Sequence, residues 1–342
     1  MKVLVTGGAG FVGSHVVEHL AKTGDEVVAF DNLSRSSMLG KSTGDQAVNV
    51  DAVRSAGARF VKGDVRDLEV LKGAATGRVD AIVHTAAQVA VTTSLNDPRA
   101  DFEVNTTGTF NILELARMND ASVVFTSTNK VYGDNVNGID VKEGVTRYEF
   151  SDPRYASGIP EGFSIDRTHH SPYGASKLAA DLYVQEYAKT YGLKTGVFRM
   201  SCIYGDRQFG VEDQGWVSWF GIAVQTGRPI TIYGDGKQVR DVLFIDDLIR
   251  AIDLMLSSNR SGVYNIGGGP SNTLSLLELL AMLEEITGRK PKVRYDEWRP
   301  ADQRVYISNI TRARKDLIWT PSIAPREGVT RMLGWVKDHF ER

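Results

Sequence analysis

The sequence predicts an α/β protein: a doubly wound parallel sheet with a smaller C-terminal α/β substrate domain. Three observations predict it. Short apolar strands alternate with helical patterns through residue 200. A glycine-rich turn, TGGAGFVGSH (6–15), joins the first strand to the first helix. Beyond residue 200 the rhythm breaks into a stretch rich in glycine, aromatics and charge. Alternating strand and helix implies βαβ units and hence parallel pairing.

The elements follow in order. VLV (3–5), VVAF (27–30), RFVKGD (59–64) and AIVH (81–84) are short, buried-type strands, and VGSHVVEHLAKTG (12–24) is the first helix. Residues 101–118 are helical and SVVFTS is a strand. SPYGASKLAADLYVQEYAKTYG (171–192) is a long helix, and KTGVFRM (194–200) is another strand. DVLFIDDLIRAIDLML (241–256) is expected to return to the sheet layer, whereas GVYNIGGG (262–269), LSLLELLAMLEEITG (274–288) and the tail form the smaller lobe. The expected domains are 1–200 plus 241–260 for the dinucleotide, and 201–240 plus 261–342 for the substrate. Residues 32–55 and 134–170 read as long loops, a length usually tied to function.

The 342 residues are 42% apolar and 24% charged, with a formal charge of −2. That is ordinary for a soluble globular protein, and no basic run suggests nucleic acid. The N-terminal apolar stretch is too short for a signal or membrane segment. The single cysteine, Cys202, can form neither an internal disulfide nor a thiolate metal cluster, which fits a reducing, cytoplasmic compartment. His169 and His170 are adjacent, so they suit no shared ligand face, and no HExxH occurs. No metal is expected.

The glycine turn contains Gly8-x-Gly10-x-x-Gly13 and Gly7-x-x-Gly10-x-x-Gly13. Such glycines permit a tight turn, close backbone approach to a pyrophosphate and close helix–strand packing, with the helix N-terminus facing the phosphates. Taken alone a glycine turn is weak evidence; here it follows a strand and opens a helix, as a Rossmann motif requires. Asp31, ending the second strand, can accept bonds from both adenosine ribose hydroxyls and would repel a 2′-phosphate, favouring NAD over NADP despite nearby Arg35. Asp64 and Val65 suit an adenine contact; the competing role for Asp64 is a helix N-cap.

Tyr173 and Lys177 are four residues apart at the start of a helix and share one face. A tyrosine, with its ordinary pKa near ~10, is a poor base at neutral pH. A nearby ammonium and a positive nicotinamide ring are expected to lower it by ~3 units, worth roughly 4 kcal/mol. The alternative is a surface Tyr–Lys pair. Ligands of doubly wound sheets bind at the carboxyl ends of the strands. FTSTNKVYGD (125–134) is such an end, and its hydroxyls suit a sugar. Thr128 is the expected proton partner of Tyr173, with Ser127 nearer the nicotinamide; capping of a turn is the competing role of Ser127.

Through TGGAGFVGS, Asp31, HTAAQ (84–88), STNKVYG, YGASK and RDVLFIDD (240–247), the chain resembles the extended short-chain dehydrogenase/reductases over essentially its whole length. That resemblance implies tightly bound NAD, recycled in each turnover, a nucleotide-sugar substrate and a homodimer or homotetramer. It implies cofactor contacts at Gly7, Gly10, Phe11, Val12, Gly13, Asp31, Asn32, Ser34, Arg35, Asp64, Val65, Ala86, Ala87, Gln88, Ser127, Tyr173, Lys177 and Met200. Nucleotide-sugar 4,6-dehydratases place Asp and Glu after the catalytic threonine; here Asn129 and Lys130 stand there. The 4-epimerases carry small residues at these positions. STNKVYGD, AAQVAVTTSLNDPRADFEVN (86–105), HSPYG, YGDRQFGVEDQGWVSWF, GKQVRDV and ADQRVYISNI resemble the CDP-tyvelose (CDP-paratose) 2-epimerases. The implied reaction inverts C2 of a CDP-hexose through a transient 2-keto sugar, Tyr173 exchanging the hydroxyl proton. A UDP- or GDP-sugar 4-epimerase is the alternative. Substrate contacts are then expected at Gln88, Thr128, Asn129, Arg207, Gln208, Trp216, Lys237, Gln238, Arg240 and Arg304. Arginines suit bidentate diphosphate contact, the alternative for each being a surface ion pair.

Overall fold

A computed structural model describes residues 1–38, 45–299 and 302–340. Part of the expected loop 32–55 therefore lies outside the described residues; its remainder holds the helix Asp45–Ser55. The chain divides into two compact units. The first comprises 1–131, 171–199 and 249–264; the second comprises 132–170, 200–248 and 265–342.

The first unit is built on a seven-stranded sheet. Its first five strands are β1 (Lys2–Thr6), β2 (Glu26–Asp31), β3 (Arg59–Lys62), β4 (Ala81–His84) and β5 (Ser122–Thr128). The spatial order is Gly262–Ile266, Thr195–Met200, β5, β4, β1, β2, β3. β1 pairs in parallel with β2 and β4, β2 with β3, and β4 with β5. The order reverses direction at β1, so the carboxyl ends of β1 and β4 open the crevice where such sheets take ligands. Leu4, Val28, Phe30, Ile82, Val123, Phe125 and Val197 bury one face against Ile112, Leu113, Ala180 and Val184 from the helices Gly108–Asn119 and Ser171–Tyr191. The expected continuous helix over 101–118 is interrupted by a π turn at Glu103–Thr107, a widening often found at functional sites.

In the second unit, Val239–Phe244 pairs with Cys202–Tyr204, Thr273–Ser275 and Val305–Tyr306. A parallel pair joins Pro229–Tyr233 to Lys292–Asp296. Ser275 and Glu278 form a capping box on the helix Leu276–Thr287, close to the expected 274–288.

The expected boundaries need three corrections. Val239–Phe244 belongs to the smaller sheet, because its ladder partners lie there. Gly262–Ile266, expected in the smaller lobe, is the edge strand of the large sheet. Residues 134–170 belong with the second unit: Ile159 donates its amide to Ile307 O at 2.7 Å, and Tyr132 donates its hydroxyl to Asn265 at 2.7 Å. That stretch also holds the hairpin Val141–Glu143/Tyr148–Phe150 rather than a bare loop. A buried strand's composition shows that it lies in a sheet without saying which sheet.

Candidate active site

The glycine turn is closed to side chains. Gly7 has φ +69°, and a Cβ on it would lie 2.7 Å from the Ala86 amide nitrogen. A Cβ on Gly13 would lie 2.0 Å from the Gly7 carbonyl oxygen. Gly10 precedes the helix Phe11–Lys22 without a side-chain cap, leaving its first amides to an anion. Asp31 stands beside this turn, its carboxylate accepting from the amides of Ala9 at 3.0 Å and Leu33 at 2.7 Å. Asn32 donates to Asp64 at 2.9 Å and accepts from the Ser34 amide at 3.0 Å. Phe11 and Val12 open the helix after the turn, and Arg35 opens the short helix Arg35–Met38.

Asp64 is not the cap of the following helix; Asp67 is, accepting from the amides of Glu69 and Val70. The guanidinium of Arg66 bonds the Asp64 carboxyl and lowers it to about 2. Val65 is buried beneath Gly108, where a Cβ would meet it at 2.6 Å. A closed turn, an uncapped helix N-terminus and a carboxylate at the end of β2 fit a dinucleotide.

At the end of β5, Thr128, Tyr173 and Lys177 come together, all buried. The Thr128 hydroxyl lies beside the Tyr173 phenol and favours its ionised form. Lys177 donates from Nζ to Thr126 O at 2.8 Å and lies 4.2 Å from the Phe125 ring centroid. The expected lowering of Tyr173 is not found in the protein by itself. Burial pushes the phenol up to about 12, against the opposing effect of the Thr128 hydroxyl. Burial also brings Lys177 down to about 7, opposed by Asp181 and then Asp101. Burial disfavours the charged form of each group and so holds both toward neutrality. Bringing the phenol from about 12 to neutral pH takes about 7 kcal/mol of added positive charge or donated bonds.

Two expected contacts have other tasks. Ser127 donates its hydroxyl to buried Asp181 at 2.7 Å, and Asp181 also binds Arg199 at 3.0 and 3.1 Å. The side chain of Gln88 is 4% exposed and spent on Ala90 and Asp101. Asn129 is buried and accepts a long 3.4 Å bond from Thr128, while the Lys130 amide donates to Thr128 at 3.3 Å. No carboxylate follows Thr128, whatever the packing.

Asp101, Asp181 and Arg199 were missed. Asp181 lies four residues after Lys177, and Asp101 four before Asn105, so both are charges on buried helix faces. That misfit with amphipathic patterning was the available signal.

In the second unit, Arg304 lines a cavity of about 620 Å³ together with Asp134, Asn137, Trp298, Arg299 and Asp302. Arg299, which the sequence reading passed over, stacks 4.0 Å from the Tyr233 ring centroid and pairs with Asp213 at 3.2 Å. Two expected diphosphate cations already hold carboxylates: Arg240 binds Asp302 at 2.6 Å and Lys237 binds Glu143 at 2.5 Å. Gln208 and Gln238 donate to the carbonyls of Ile203 and Tyr233. Trp216 donates to Cys202 Sγ at 3.3 Å and packs edge-on against Phe220. Arg207 sits at φ +59° in the turn after Cys202–Tyr204, and Met200 ends the strand Thr195–Met200.

Residues 3–267 match the model of the "NAD dependent epimerase/dehydratase family". The chain is 40% identical to a CDP-paratose 2-epimerase of Salmonella typhi, over 98% of this chain and 99% of the relative. It is 32% identical to a UDP-glucuronate 4-epimerase of Thermodesulfobacterium geofontis, over 99% of this chain and 97% of the relative. Among solved structures, the UDP-glucose 4-epimerase of Thermotoga maritima with UDP-glucose aligns at TM-score 0.81 and 31% identity, covering 99% of both chains. With its glycine turn, Asp31 and the Thr128–Tyr173–Lys177 group, the chain belongs to the NAD-dependent epimerase/dehydratase family of extended short-chain dehydrogenase/reductases.

Proposed function

We propose that this chain inverts C2 of a CDP-activated hexose, of the CDP-paratose/CDP-tyvelose or CDP-glucose/CDP-mannose type. The observation that carries it is Thr128 beside Tyr173 and followed by Asn129 and Lys130. Elimination of water needs an acid and a base beside the threonine, and this strand end offers an amide and a lysine. Inversion at a carbinol carbon needs one proton exchanged at one hydroxyl, which Thr128 and Tyr173 supply. The 2-epimerase from Salmonella typhi supports C2 and the CDP carrier.

Bound NAD supplies reversible hydride acceptance at the sugar carbon. Tyr173 takes the hydroxyl proton as the carbonyl forms and returns it when the opposite face has been presented. Thr128 bonds the same oxygen and orients it. Lys177 offsets negative charge developing on the phenol. Asp31 holds the adenosine ribose and excludes a 2′-phosphate. In this proposal the first unit carries NAD, and Arg299 and Arg304 of the second are candidates for the diphosphate.

The proposal includes a homodimer or homotetramer. Phe110, Met118, Leu182, Tyr183 and Tyr191 are exposed on the helices Gly108–Asn119 and Ser171–Tyr191, a run of apolar surface suited to a second copy. A cytoplasmic location rests on the single cysteine; among the described residues no helix is long and apolar enough to cross a membrane. A second reading, a UDP- or GDP-sugar 4-epimerase, draws on the 4-epimerase relatives.

Purified protein incubated with CDP-paratose, CDP-glucose and UDP-glucose, with products identified by NMR, separates them. C2-inverted CDP-sugar is expected. Conversion of UDP-glucose to its C4 epimer, with the CDP-sugars unchanged, would establish the second reading.

A further inference from the structure

Asp101 is a carboxylate in an unusual place. It is 1% exposed and, among the described residues, no cationic nitrogen lies within 4.0 Å of it. An ionised carboxylate so far from water is unfavourable unless other groups hold it. Three neutral donors do so. Gln88 Nε2 and Asn105 Nδ2 donate to one oxygen at 2.7 and 3.1 Å, and Ser176 Oγ donates to the other at 2.5 Å.

These donors come from three elements. Gln88 lies after β4, Asn105 in the π turn, and Ser176 on the helix Ser171–Tyr191, between Tyr173 and Lys177. Thr106 adds a bond from its hydroxyl to Ser176 O at 3.0 Å. The π turn thus presents two consecutive side chains to the helix that carries the catalytic pair. Asp101 is the acceptor on which this cluster converges.

The charged and titratable groups facing Lys177 can be named. They are Asp101, Asp181, Tyr173 and His84, with Arg199 beyond Asp181. His84 is neutral: burial brings it down to about 3, and it bonds Thr6 and Thr109. Asp181 acts on Lys177 more strongly than Asp101 when each is taken singly. Its charge, however, is matched by the guanidinium of Arg199, held at two atoms. Asp101 has no such partner: burial raises its carboxyl above the usual range, and the bonds from Ser176 and Gln88 and the charge of Lys177 oppose that rise.

We infer that Asp101 is a positioning residue for the catalytic pair, holding the helix through Ser176 and serving as the buried counter-charge that keeps the Lys177 ammonium protonated. The inference rests on the assignment of Tyr173 and Lys177 to catalysis.

Asp101→Asn tests it in the NAD-loaded enzyme. Asparagine keeps the shape and one acceptor oxygen. Its amide can donate to Ser176, which then donates to Tyr173 O, 3.0 Å away. The counter-charge is lost, so Lys177 gives up its proton at lower pH. The alkaline limb of the kcat–pH profile is expected to move down by about one unit, the equivalent of about tenfold in the protonation equilibrium. KM and NAD content are expected to stay within about threefold.

Asp101→Ser is the second variant. It removes the charge and leaves a small hydroxyl beside Ser176, so a shift in the same direction is expected. This variant also decides the matter if Asp101→Asn fails to fold. An alkaline limb unmoved in every variant that folds, whatever the loss of rate or stability, would overturn the inference and leave Asp101 a packing residue. Tyr173→Phe, measured in parallel, separates the two levels. Full activity there would overturn the catalytic assignment itself, whereas an inactive Tyr173→Phe beside an unmoved limb would remove Asp101 alone.

Discussion

Tyr173→Phe is expected to lose about 10³-fold or more in turnover while retaining bound NAD. The phenol lies beside Thr128 at the end of β5, and phenylalanine keeps its ring and packing. A positioned proton donor and acceptor contributes typically about 10²–10⁴-fold. The loss should appear in kcat and not in KM, because the hydroxyl acts as the carbonyl forms. Cofactor content is read from the absorbance of material released on denaturation. Turnover within about tenfold of wild type would remove Tyr173 from its role.

Gly13→Ala is expected to remove NAD altogether. Its Cβ would lie 2.0 Å from the carbonyl oxygen of Gly7, a backbone atom in the tightest part of the turn. Neither side can yield without moving the helix Phe11–Lys22 off the turn that faces the pyrophosphate. Overpacking of this kind costs about 1–3 kcal/mol in stability. The loss of cofactor should exceed that, because the turn's shape is the binding site. Gly73→Ala serves as the control: it lies in the helix Leu68–Ala74 with open space around it, and alanine favours helix there. Unfolding temperature and cofactor content are measured for both. Normal NAD content in Gly13→Ala would contradict the geometry of the turn.

Much of this molecule was legible in its sequence, for reasons particular residues make plain. The glycine turn could be read because its spacing is forced by backbone contact, as Gly7 and Gly13 show. The Tyr173–Lys177 pair could be read because one helical turn fixes its geometry. The strand end at Thr128 could be read because hydroxyls and an amide do not ordinarily finish an apolar strand. What escaped was long-range. Val239–Phe244 looks like any buried strand, and only its ladder partners assign it to the smaller sheet. Gln88 spends its amide on Asp101 and Ala90, which no local pattern shows. Arg240 and Lys237 hold carboxylates 62 and 94 residues away in sequence, beyond any local reading. The protonation of Tyr173 escaped for the same reason. Burial is a property of the whole fold, and it outweighs the Thr128 hydroxyl that favours the ionised phenol.

The central claim is that chemistry occurs at C2 through reversible oxidation of that carbon. A CDP-sugar carrying deuterium at C2 tests it most directly, with rate and product followed together by NMR. The account predicts a primary isotope effect, deuterium retained at C2 in the inverted product, and no comparable effect from deuterium at C4. A primary effect at C4 with C4-inverted product would contradict the C2 assignment. Solvent hydrogen appearing at C2 would contradict oxidation at that carbon and require an enolisation route instead.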